Sequence, residues 1–109
     1  MAALSTQVIE DDGFYPTFAA AAASDTAEIG SGRNTYAHYK NDSGSSVTVT
    51  VLVPGTTFFG LANPDNAVVV AAGAETLIPL RKAYDDGTGR ATITTSSQTS
   101  VTVAVVKVA

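Results

Sequence analysis

The clearest signal along the chain is strict alternation of apolar and polar residues over Ser46-Val-Thr-Val-Thr-Val-Leu-Val53. Successive side chains of a strand point to opposite faces, so Val47, Val49, Val51 and Val53 share one face. Ser46, Thr48 and Thr50 share the other, the pattern of a strand buried on one side only. The same alternation runs through Val101-Thr-Val-Ala-Val-Val-Lys-Val108 as far as Val105. There Lys107 falls on the valine face, which predicts a bulge or the end of the strand. Residues 35–40, 75–80 and 90–95 predict further strands, and residues 56–61 a short one. Pro79 puts the 75–80 strand at an edge or near its own end, because proline cannot donate to a ladder. Ala67-Val-Val-Val-Ala71 is apolar on both faces and predicts a strand buried between layers.

Turn chemistry separates these runs: Asn41-Asp-Ser-Gly44, Pro54-Gly55, Asn63-Pro-Asp-Asn66, Ala72-Gly-Ala74 and Asp85-Asp-Gly-Thr-Gly89. Short strands at this spacing, rich in Val and Thr, predict an all-β fold, an antiparallel β-sandwich or jelly-roll-like barrel over residues 34–109. Residues 1–33 have a different character. They hold Glu10-Asp-Asp-Gly13, the aromatic stretch Phe14-Tyr-Pro-Thr-Phe18, and five alanines from Ala19 to Ala23. Alanine favours helix, but five residues are too few to hold one without tertiary support. The expectation is an extended, irregular N-terminal arm with one strand and one helical turn.

Length and composition narrow the function. One domain accounts for 109 residues, and a domain of this size buries roughly 60–70% of the surface of its unfolded chain. Charged residues are 15% of the total, against about 25% in ordinary soluble domains, so part of the exterior is expected to be covered in the working state. The net charge is −4 and no stretch gathers Lys or Arg, which argues against a nucleic-acid partner. With no cysteine there is no disulfide framework, thiolate zinc site or thiol nucleophile. The first residues lack a positive segment followed by an apolar core, and no apolar run approaches the roughly 20 residues of a membrane span. A chain made in the cytoplasm and not bound to membrane is expected.

Candidate chemistry is sparse. His38 is the sole histidine and has no sequence partners for metal or triad chemistry, so it reads as an ordinary half-exposed strand residue. The Asp85–Gly89 run lacks the alternating carboxylates and closing glutamate of a calcium loop, and reads as a hairpin turn with glycine at positive φ. No catalytic residue, metal ligand or cofactor is expected, and the chain is not read as an enzyme. The aromatic residues Phe14, Tyr15 and Phe18 of the arm, with Phe58 and Phe59, are the candidate partner-interface residues. Large aromatics outside regular strands anchor interfaces, and two adjacent strand residues cannot both face one core.

Four stretches, in this order, carry a family resemblance: Arg33 leading to His38-Tyr39-Lys40-Asn41; Gly60-Leu61-Ala62 running into Val68-Val69-Val70 and Ala72-Gly73-Ala74-Glu75; Ile78-Pro79-Leu80 followed by Tyr84-Asp85-Asp86-Gly87; and Thr99-Ser100-Val101-Thr102-Val103-Ala104-Val105. They span roughly the C-terminal two-thirds of the chain. In their order and spacing the chain resembles the small capsid decoration (cement) and head-associated structural proteins of tailed bacteriophages. The resemblance implies a β-sandwich on the outer capsid surface of the virion, with the major capsid protein as partner and a homo-oligomer, favoured as a trimer. It implies capsid stabilisation and no enzyme activity. Two other functions remain open at this point: a head–tail joining or tail structural protein, and a carbohydrate-binding or adhesion module.

Overall fold

Val47, Val49 and Val51 are fully buried while Thr48 and Thr50 are half-exposed, so the valine alternation forms the strand it predicts. In the computed structural model, which describes residues 2–54, 57–58, 61–62 and 65–108, nearly all regular structure is β. The strands are β1 (Ala2–Ala3), β2 (Thr6–Ile9), β3 (Ala19–Ala20), β4 (Ser24–Glu28), β5 (Thr35–Asn41) and β6 (Val47–Val51). They continue as β7 (Thr57–Phe58), β8 (Leu61–Ala62), β9 (Asn66–Val70), β10 (Glu75–Pro79), β11 (Arg90–Thr95) and β12 (Val101–Val108). A 3₁₀ turn, Lys82–Tyr84, precedes β11.

Two packed sheets result, a β-sandwich. The first has the order β1-β4-β11-β6-β9 and the second β10-β5-β12-β2, with β3 also paired to β12; β7 and β8 form a separate hairpin. Most pairings are antiparallel, but β1 runs parallel to β4 and β2 parallel to β12. The core lies between the sheets. Val49, Val51 and Ile93 from the first meet Tyr39, Ile78, Val103 and Val105 from the second. Each of these side chains leaves water, worth roughly 1.5–3 kcal/mol for a fully buried aliphatic residue.

The chain before Thr35 departs from the expected irregular arm. Residues 24–28 form β4, an interior strand of the first sheet, and Ala27 and Ile29 are fully buried. The expected helical turn in the alanine run is absent; Ala19 and Ala20 form β3 against β12 instead. Backbone groups beside an unsatisfied strand edge are better paired with that edge than with an isolated helical turn of five residues.

Three smaller expectations also change. β12 keeps one register with β5 from Val101 to Lys107 without a bulge. Lys107 sits on the valine face because the strand there reaches the rim, where the residue is half-exposed. Residues 66–70 form an edge strand and not a buried one, with Val69 67% exposed. The 85–89 loop does place Gly87 and Gly89 at positive φ, but it carries the chain from one sheet to the other and closes no hairpin. The expectation for β10 is met: it is an edge strand ending at Pro79.

Candidate interaction surface

Alternation along β5 sends Ala37, Tyr39 and Asn41 inward and Tyr36, His38 and Lys40 to the outer face of the second sheet. Register with β10 sets Leu77 beside His38, and Glu75 beside Lys40. On the other flank Ala104 lies opposite His38, and Thr102 opposite Lys40. Onto this face folds the aromatic stretch. The Phe18 ring meets the His38 ring edge-on, with centroids 5.0 Å apart, and Lys40 Nζ stands 4.5 Å from the Phe18 centroid. Both geometries are favourable for the negative face and positive edge of an aromatic ring. Diagonally across the sheet, His38 Nε2 lies 2.8 Å from Glu75 Oε1.

A second attachment holds the same stretch. The Gln7 side chain donates from Nε2 to the Thr17 carbonyl (2.8 Å) and accepts the Thr17 N–H at Oε1 (2.9 Å). A side-chain amide thus stands in for one rung of a β-ladder and pins Thr17 beside β2. Burial alternates along the strap: Phe14, Pro16 and Phe18 are half-buried, while Tyr15 and Thr17 face water. Tyr15 is 96% exposed, the most exposed large apolar side chain among the described residues.

The structure therefore separates the expected interface residues. Phe18 is used within the domain, against His38 and Lys40, and Phe14 is half-buried. Tyr15 alone of the three is fully displayed. Of the other pair, Phe58 is placed only as a backbone position of β7 opposite Leu61, and Phe59 lies outside the described residues. Leu77, 55% exposed on the face that Phe18 caps, is a second large apolar side chain left open there. Its signal was available in principle, since Leu77 alternates with buried Ile78 beside Pro79.

Among the described residues one acidic group lies in the interior. Asp25, completely buried on β4, accepts the Ala22 N–H at Oδ2 (3.0 Å), while its Oδ1 and the Tyr39 hydroxyl have no hydrogen-bond partner. Burial first, and the nearby Asp25 carboxylate second, hold the Tyr39 hydroxyl well above the usual tyrosine range. Both groups are closed off from any substrate. Among the described residues no three His, Cys, Asp or Glu side chains gather where they could hold a metal ion. No described helix is long and apolar enough to cross a membrane.

Comparison with known proteins finds no matching family, no matching curated protein and no matching solved structure.

Proposed function

We propose that this chain is a non-catalytic structural module that docks on an assembled protein shell, a capsid decoration protein of a tailed-phage head. The observation that carries the docking part is Tyr15. A tyrosine held 96% exposed on a strap fastened at Phe18 and Thr17 is an amphipathic anchor presented at low entropic cost. Leu77 adds apolar area on the sheet face that the strap crosses. The order of the four resembling stretches, from Arg33 to Val105, supports a phage head as the shell and the major capsid protein as the partner. A homotrimer on the outer surface is the arrangement we favour.

Stabilisation would follow from mass action. A domain that binds the assembled lattice and not its free subunits favours the lattice by RT ln(1 + [L]/Kd) at each site. Many sites, or a trimer spanning several subunits, let a modest single contact suffice. The test is to mix purified protein with capsids that lack it and to image the particles. Ordered density over the head, in hundreds of copies, supports the reading. Density confined to the neck or tail in about a dozen copies overturns it in favour of a joining or tail protein. Selective retention on a glycan array with no capsid binding would instead indicate an adhesion module.

A further inference from the structure

Residues 2–9 belong to both sheets. β1 runs parallel to β4 with Ala2 opposite Asp25, and β2 runs parallel to β12 with Thr6 opposite Val105. Between them Leu4 donates its N–H to the Thr26 carbonyl (2.8 Å), and Arg90 Nη2 donates to the Leu4 carbonyl (3.0 Å). One continuous segment thus closes an edge of each sheet. Yet none of the side chains of residues 3–9 is fully buried, whereas β12 beside it buries Val101 and residues 103–106. A cleft of about 500 Å³ opens beside the segment, lined by Leu4 and Gln7 on one side and by Ala20 and Val103–Val105 on the other. The backbone is well paired, but of residues 3–9 Leu4 alone packs against the core, a combination that marks elements opening at low free-energy cost.

The connection out of this segment is a turn held by one backbone hydrogen bond, from the Gly13 N–H to the Glu10 carbonyl (3.2 Å). Residues 10–13 are all exposed, three of them are consecutive carboxylates, and Gly13 takes φ +105° with nothing within 4 Å of where a Cβ would sit. The next fixed points are Thr17 and Phe18. Fully extended, residues 10–17 span about 27 Å, at about 3.4 Å per residue. That exceeds the 20 Å thickness of the molecule.

We propose that residues 2–9 are an exchangeable strand, and that in the assembled protein they pair with β4 and β12 of a second copy of this chain. The receiving slot is specific for this sequence. Arg90 meets the Leu4 carbonyl, Glu28 accepts from Thr6 Oγ1 (3.3 Å), and Thr17 takes the Gln7 amide. A second copy supplies all of these groups in register. Closed and exchanged forms contain the same contacts outside the hinge, where extension gives up the Gly13 N–H to Glu10 carbonyl bond (3.2 Å), so concentration and the hinge set the balance. How copies join in this way does not depend on which surface the domain binds.

The chain has no cysteine among its described residues or elsewhere in its sequence, so introduced thiols report without background. Val8 and Lys107 are register partners at exposed or half-exposed positions. The experiment refolds Val8→Cys and Lys107→Cys chains together at high concentration and then oxidises them. The Val8→Cys/Lys107→Cys double variant, oxidised when dilute, shows by its intrachain bond that this pair of positions can be joined. Expected is a covalent mixed dimer at least about tenfold more abundant than the homodimer of either single variant, because register pairing holds the two thiols within disulfide reach. Mixed dimers no more abundant than homodimers, with the double variant closing within its own chain, overturn the proposal.

Discussion

Asp25 and Tyr39 reach the same interior from opposite sheets, and Asp25 Oδ1 and Tyr39 Oη each lack a hydrogen-bond partner. A buried hydroxyl without a partner costs its desolvation and returns nothing. Tyr39→Phe is therefore expected to leave stability unchanged or raise it by about 1 kcal/mol, measured by urea denaturation at pH 7. Tyr39→Ala, which empties the same site, is expected to cost about 3–5 kcal/mol. A loss of 2 kcal/mol or more in the phenylalanine variant would show the hydroxyl to be a working hydrogen-bond partner.

Alkaline pH probes the same residue. The native Tyr39 hydroxyl holds its proton well above the usual range, whereas the unfolded chain releases it near pH 10. Above that pH the native state binds one more proton than the unfolded state, so stability falls as pH rises. Below it the contribution is fully present. Unfolding free energies measured from pH 8 to pH 11.5 should decline past about pH 10, by up to about 1.4 kcal/mol per pH unit from this residue, and Tyr39→Phe should flatten that part of the decline.

Asn41 is buried and fastens β5 to β9 and to the 43–45 turn at one end of the sandwich. Its Nδ2 donates to the carbonyls of Ser45 (2.8 Å) and Val70 (3.0 Å), and its Oδ1 accepts the Ser43 N–H (3.0 Å). Asn41→Ala strands those backbone groups, at about 1–3 kcal/mol for each one left buried and unpaired. A drop of about 2–4 kcal/mol in unfolding free energy is expected. Hydrogen exchange should show the loosening concentrated at residues 43–47 and 70–74.

Gly32 takes φ +81°, and a Cβ there would stand 3.0 Å from the Lys82 backbone nitrogen and 2.7 Å from Lys82 Cγ. Gly32→Ala must strain both the dihedral and the contact, and is expected to cost more than 1 kcal/mol in thermal unfolding. Gly44→Ala, at an open position without positive φ, should change stability by less than about 0.5 kcal/mol.

Tyr15 and Phe18 should respond oppositely, although both belong to one aromatic stretch. Phe18→Ala removes the packing on His38 and Lys40, and should lower stability by about 1–2 kcal/mol while speeding amide exchange over residues 14–18. Tyr15→Ala should leave the melting temperature unchanged and lower affinity for capsids at least about tenfold. Unchanged capsid binding in Tyr15→Ala would remove that residue from the docking surface.

Much of the sandwich was legible because its central strands obey their periodicity. Val47, Val49 and Val51, or Val101, Val103 and Val105, need only a buried face to declare themselves. β4 was invisible for the converse reason. Its inward residues are Asp25 and Ala27, and neither a carboxylate nor a methyl group gives an apolar period. Val68, Val69 and Val70 misled because hydropathy alone does not distinguish a strand covered on both faces from one at an edge. Topology decides that, as it decides that Glu75 comes to lie beside Lys40 and within reach of His38. The interface reading fared similarly. The stretch holding Phe14, Tyr15 and Phe18 was identifiable by composition, but only packing shows which ring turns inward.

The place of β12 has a consequence for synthesis. It lies between β5 on one side and β2 and β3 on the other, yet it follows all of them in the chain. While a ribosome is still adding residues 101–108, β2 and β3 have no strand to pair with in their sheet, and β5 has β10 alone. The first sheet, complete with β11, can assemble earlier, but its inner face then has half its cover missing. The nascent protein passes through an interval in which Val49, Val51 and Ile93 are exposed. Closing that interval requires contacts between residues about a hundred positions apart, which makes the final step slow for so small a domain.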